Sequence, residues 1–219
     1  MKILEIHTRR RSLYAIAFDE LIDNEEAKFD EGGYLLIDQT AFDETGYSVG
    51  RELIDDELNE LISNSAYYRA RERALFHLSR RDFAEKEMAD KLRREFGETA
   101  AASAAARMVE LGLIDDERYA ERYAEIMLNV KAWSPSRAVR ELVMRGIDRD
   151  FAKNAVDAVN RDPKDMIRQL IDKKYASKLA TGGQKAAASV SNSLARKGYS
   201  FSDIRSVIGE YLNENELYD

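Results

Sequence analysis

The chain has 219 residues, with 34 Lys+Arg against 41 Asp+Glu, a net charge of −7 and no cysteine. A composition 44% hydrophobic and 34% charged is that of a globular protein, and the length suffices to bury a real core. Without cysteine there is no disulfide framework, thiol nucleophile or Cys-ligated zinc or iron–sulfur site, and with only 2 His a His-based metal site is not expected, so no cofactor is called for. The longest apolar runs are four or five residues, too short for a membrane span, and Met1–His7 lacks the apolar stretch of a signal peptide. A cytoplasmic location is the expectation.

In chain order, three apolar runs come first: Ile3, Leu4 and Ile6; Leu13, Tyr14, Ile16 and Phe18; and Tyr34–Ile37. Bounded by turn residues, they predict a small antiparallel sheet. Asp38 is placed to cap a short helix ending near Gly46, and another helix is expected from about Asp55. From Tyr67 onward the spacing becomes helical: Ala70, Ala74, Leu78; Ala84, Met88, Leu92, Phe96; Tyr119, Tyr123, Met127, Val130; Phe151, Ala155, Val156, Val159; Ile204, Val207, Ile208, Tyr211, Leu212. Each stripe is expected to face a core. Asp82 with Glu85 and Ser200 with Asp203 have capping-box spacing, and Ser134-Pro135 has the cap-then-proline order. Gly97, Gly112, Gly146 and Gly198 fall where helices should stop, and Thr181–Gln184 reads as a turn between helices.

A repeat sets the architecture. Leu142-Val143-Met144-Arg145-Gly146 matches Leu194-Ala195-Arg196-Lys197-Gly198, and Leu92 to Gly97 is the same feature with one residue more. A period near 50 residues holding about three helices predicts stacked three-helix units. The fold class expected is mainly α: an elongated tandem array of three three-helix repeats after a small N-terminal β-containing segment. The boundaries expected are 1–66, 67–115, 116–161 and 162–219.

Charge is segregated along this plan. Residues 1–66 carry 6 basic and 16 acidic side chains, a balance of −10, whereas Arg161–Arg205 carries 10 basic and 4 acidic, a balance of +6; the tail from Glu210 to Asp219 returns −4. Segregation of this kind can present a basic face even on an acidic protein. No phosphate loop or nucleophile elbow is present, and neither His7 nor His77 has an evident orienting partner. Asp55-Asp56-Glu57 and Asp115-Asp116-Glu117 suit helix starts better than a metal site, since adjacent helical positions diverge. Trp133 suits a core or staple position better than a contact.

The run Gly112-Leu113-Ile114-Asp115-Asp116-Glu117-Arg118-Tyr119-Ala120 resembles the signature that joins the first two repeats of the RecX family, in particular Gly112, Ile114, Asp115, Asp116, Tyr119 and Ala120. Ala74–Leu92 resembles the family's first repeat, Arg140-Glu141-Leu142 with Arg145-Gly146-Ile147 its second, and Ser193–Tyr199 its third. The resemblance implies a bacterial negative regulator of the RecA recombinase. Such a regulator binds RecA and its filaments on single-stranded DNA, blocks filament extension, and lowers ATP hydrolysis, strand exchange and SOS coprotease activity. It implies no catalytic residue. Weak direct DNA binding and a monomer are expected beside it.

Basic residues that recur at one point of each repeat are the candidate contact face: Arg81, Lys91, Arg94, Arg137, Arg140, Arg145, Lys173, Lys174, Arg196 and Lys197. The acidic first segment is expected to shield that face from bulk DNA or to make its own protein contact. The competing readings are a helix-turn-helix-like DNA-binding regulator and a helical adaptor for another protein. The former wants Arg, Asn and Gln on its recognition helices, where Asp150–Val159 and Phe201–Leu212 offer mostly other residues.

Overall fold

The computed structural model describes residues 1–216. They fall into two compact units, Met1–Asp115 and Asp116–Asp219.

The first unit opens with the sheet. Strands β1 (Ile3–Arg9), β2 (Leu13–Phe18) and β3 (Leu35–Asp38) pair antiparallel in that order, with Ile6 opposite Ile16 and Tyr14 opposite Ile37. Arg11 and Ser12 both take positive φ to turn β1 into β2. The Asp38 carboxylate caps helix α1 (Gln39–Asp43), accepting from the Thr40 N–H at 2.9 Å and the Ala41 N–H at 3.3 Å.

Helix α2 (Asp55–Leu78) runs unbroken through the boundary expected after residue 66. Its two halves bury against different partners. Leu58, Leu61 and Ile62 close the sheet's core with Ile3, Ile16, Leu35 and Ile37. Ala70 and Ala74 enter a second core with α3 (Glu85–Phe96) and α4 (Glu98–Glu110), built from Met88, Leu92, Phe96 and the α4 face Ala100, Ala101, Ala104, Ala105, Met108. Alanine on both facing surfaces lets α2 and α4 approach closely. One helix is therefore both lid of the sheet and first helix of the first repeat, because a continuous helix loses no capping groups between its two cores. The α3 cap also differs from expectation. The helix starts at Glu85 after Ala84, two residues beyond the Asp82 position, since Phe83 and Ala84 are both buried and hold that stretch extended.

The second unit holds the second and third repeats. In the second, α5 (Asp116–Glu125) runs into a π-helical turn (Ile126–Val130), followed by α6 (Pro135–Met144) and α7 (Arg149–Ala158). In the third, α8 (Pro163–Lys174), α9 (Ala176–Arg196) and α10 (Phe201–Glu216) follow. Ser134 and Asp162 cap α6 and α8 ahead of Pro135 and Pro163 at the first helical position, and Ser200 accepts from the Asp203 N–H at 3.0 Å at the start of α10. Gly183 (φ 52°, ψ −150°) kinks α9 at the expected turn.

Two stripe positions leave the core. In the π turn the Lys131 N–H reaches back to the Ile126 carbonyl at 3.0 Å. The wider turn shifts the register, so Met127 and Leu128 are buried and Val130 is 78% exposed. Phe151 is exposed as well, because α7 buries Ala152, Ala155 and Val156, a face rotated one residue from the one expected. The last part of the acidic tail, 217–219, lies outside the described residues. Among the described residues no helix is long and apolar enough to cross a membrane.

Candidate functional site

The repeated Leu-to-Gly element is a helix ending. Gly97, Gly146 and Gly198 each separate the second helix of a repeat from the third, with φ of 82°, 97° and 92°. After Gly146 the Ile147 N–H returns to the Leu142 carbonyl at 3.2 Å, and after Gly198 the Tyr199 N–H returns to the Leu194 carbonyl at 3.4 Å. Ile147 and Tyr199 are both buried. Gly112 ends α4 in the same manner: Leu113 and Ile114 N–H groups share the Met108 carbonyl at 2.9 and 3.1 Å. The signature run is thus a left-handed cap (Gly112), a buried apolar anchor (Ile114), acids at or beside the start of α5 (Asp115, Asp116), and two buried residues of α5 (Tyr119, Ala120).

The third repeat's glycine turn docks onto the second repeat. The Ser134 N–H donates to the Lys197 carbonyl at 3.0 Å, and the Lys197 Nζ donates to the Lys131 carbonyl at 2.6 Å. Arg137 Nη1 donates to the Arg196 carbonyl, and the Tyr199 hydroxyl to the Ala132 carbonyl at 3.2 Å. The Arg137 guanidinium lies 4.0 Å from the centre of the Trp133 ring, with the Lys131 ammonium 4.6 Å from the same ring. Trp133 is half-buried and serves as the stacking plate of this junction.

Burial pushes the Lys197 ammonium below its usual pKa, helped by the neighbouring Lys174 and Arg137 charges. Burial also raises the Tyr199 phenol to about 12. A phenol ionising near 10 when unfolded and near 12 when folded stabilises the fold below pH 10, and that contribution is lost as pH rises from 10 to 12. In a pH series of thermal unfolding, the chain is expected to lose stability across this window, and Tyr199→Phe to lose less of it.

These contacts sort the candidate basic residues. In the first unit, Arg81 forms a two-pronged bond to Glu87 (3.0 and 3.1 Å) over the Phe83 ring. Lys91 and Arg94 are exposed. His77 is held below its usual pKa first by burial and then by the Lys91, Arg73 and Arg81 charges. His7, for which no partner was expected, has the Glu5 carboxylate at 2.9 Å on the exposed sheet face.

In the second unit, Arg145 donates to the Tyr119 hydroxyl at 3.2 Å and covers the Tyr123 ring, so it braces α5. Arg137 and Lys197 are committed to the junction. Arg140, Lys173, Lys174 and Arg196 are exposed. The structure gathers Lys173, Lys174 and Lys197 around one cleft and adds Lys131 and Arg161, which were not among the candidates. Nothing in local spacing marks those two, since they meet the others only through the docking of repeats.

The first unit has its own groove, also unforeseen. Arg11, Arg69, Arg71 and Arg73 line it, but so do Asp38, Glu72 and Glu95, and Arg73 pairs with Glu95 at 3.0 Å.

The fold and junction define a class: proteins built of three-helix repeats, with a helix-ending glycine docking one repeat on the next and cations gathered at the joint. A family model described as RecX, second three-helix domain matches residues 115–156, and one described as RecX, third three-helix domain matches residues 162–208. The regulatory protein RecX of Stenotrophomonas maltophilia (strain R551-3) is 31% identical, across 61% of this chain and 82% of its own length. That of Clostridioides difficile (strain 630) is 26% identical across 78% of this chain and 80% of its own. A crystal structure of RecX from Lactobacillus salivarius is similar with a TM-score of 0.53 at 26% identity, covering 68% of this chain and 97% of that one. Another, of a regulatory protein RecX, gives 0.60 at 20% identity over 94% and 98% and supports the fold. The chain belongs to the RecX family.

Proposed function

We propose that this protein is a negative regulator of the RecA recombinase in the bacterial cytoplasm. It binds RecA and RecA filaments on single-stranded DNA, blocks filament extension, and thereby lowers ATP hydrolysis, strand exchange and SOS coprotease activity. The observation that carries this reading is membership of a family whose named relatives are regulatory proteins. The repeats support it physically. Each presents a few exposed cations, individually weak, and contacts held on one chain gain through effective concentration. Attraction of that kind is screened by salt.

The test is a titration of the full chain into RecA, single-stranded DNA and ATP. ATP hydrolysis is expected to fall with added protein and to recover as salt is raised. A hydrolysis rate that stays constant up to a large excess contradicts the proposal.

A further inference from the structure

We infer that the cleft between the second and third repeats is a binding site for a phosphate group. The cleft has a volume of about 170 Å³ and is walled by the π turn with its following residues on one side and α8 on the other. Among the described residues five cationic side chains line it, Lys131, Arg161, Lys173, Lys174 and Lys197, and no carboxylate does. The groove of the first unit shows what an internally neutralised site looks like here, with its arginines matched by Asp38, Glu72 and Glu95. The second unit instead holds like charges together; the Lys197 ammonium there is depressed first by burial and then by the Lys174 and Arg137 charges. An anion in the cleft relieves the repulsion among them.

Three of the five cations are held in place before anything binds. Arg161 Nη2 donates to Gln169 Oε1 at 2.6 Å, Lys197 Nζ to the Lys131 carbonyl at 2.6 Å, and Lys131 lies over the Trp133 and Tyr123 rings. A preset donor cage lowers the ordering cost of binding. The cleft has room for a phosphate and part of what carries it, and a phosphate offers charged oxygens to several cations at once. A lone carboxylate reaches fewer of them. The phosphate can come from a nucleic-acid backbone or from a free phosphate compound, and the test separates these sources. The inference goes beyond the recombinase reading, and its test contains no recombinase.

Trp133 is the single tryptophan of the chain and touches Lys131, so its emission reports on the cleft. The full chain is titrated at fixed ionic strength with pyrophosphate, with a 20-nucleotide oligo-dT and with hexaglutamate. Saturable change with oligo-dT that pyrophosphate competes away assigns the site to a nucleic-acid backbone. Saturation by pyrophosphate alone assigns it to a free phosphate compound.

In either case K173Q/K174Q, both exposed positions, is expected to weaken binding about fivefold and to flatten the salt dependence, since two phosphate contacts go. The control K153Q/K185Q removes the same charge away from the cleft and is expected to change binding less than about twofold. In the unaltered chain, pyrophosphate is also expected to protect Lys173, Lys174 and Lys197 from amine-reactive labelling. The proposal is overturned if neither phosphate probe saturates, if hexaglutamate binds as tightly, if both double variants weaken binding alike, or if the three lysines label unchanged.

Discussion

Gly198→Ala is expected to lower the unfolding free energy of the chain by about 3 kcal/mol, the sum of about 1–2 for a side chain at positive φ and about 1–3 for overpacking. Both costs arise at this position. The φ is 92°, and an added Cβ would stand 2.6 Å from Arg137 Cβ and 2.7 Å from Ser134 Oγ, atoms of the two residues that bond the Arg196 and Lys197 carbonyls of the third repeat. Gly112→Ala is the internal comparison: its φ is 66° but an added Cβ meets nothing within 4 Å, so only about 1 kcal/mol is expected. Urea unfolding of both variants measures the difference. Equal losses would mean that the close approach of the two repeats carries no energetic weight.

The second large effect concerns the exposed cations of the second unit. Reversal of Arg140, Lys173, Lys174 and Arg196 to glutamate together is expected to raise the concentration needed to suppress recombinase ATP hydrolysis by about tenfold or more, with the melting temperature little changed. Arg145 and Lys197 are expected to behave in the opposite way. Their side chains brace Tyr119 and the Lys131 carbonyl, so Arg145→Ala and Lys197→Ala should act first on stability. The measurement is paired: melting temperature and half-inhibitory concentration on each variant. If the four-fold reversal leaves suppression intact while the fold is retained, the contact face lies elsewhere.

This division was only half legible in the sequence. Local chemistry was readable where it acts over a few residues. The caps Asp38, Ser134 and Ser200, the helix-ending glycines and the three strands stand as the spacing implied, because each depends on one turn of chain. What a local pattern does not encode is the partner across a long separation. The Arg137 bond to the Arg196 carbonyl spans 59 positions, and the Lys197 bond to the Lys131 carbonyl spans 66. Both residues therefore looked like free surface charge when they are joints. The π turn escaped for another reason. Its apolar spacing of Met127 and Val130 fits an α-helix, and only the packed structure shows that one added residue in the turn puts Val130 in water. Helix α2 was divided at residue 66 because its buried face changes partner partway along, which reads in sequence as a change of element.

The shielding role expected for the acidic first segment meets the same helix. Removing residues 1–60 takes away the first quarter of α2, Leu58 of the core included, and the sheet beneath it, so that deletion strips a core as well as a charge. Charge substitutions on the exposed sheet face are the cleaner probe.

The activity proposed for this chain is restraint of recombinase filaments by contact. The most direct measurement follows filament length by electron microscopy and ATP hydrolysis in the same reaction, as the protein is added during filament growth on single-stranded DNA. Shorter filaments and a parallel fall in hydrolysis, both weaker for the four-fold charge reversal, are the expected result. Filaments of unchanged length at every concentration, with hydrolysis unaffected, would contradict it.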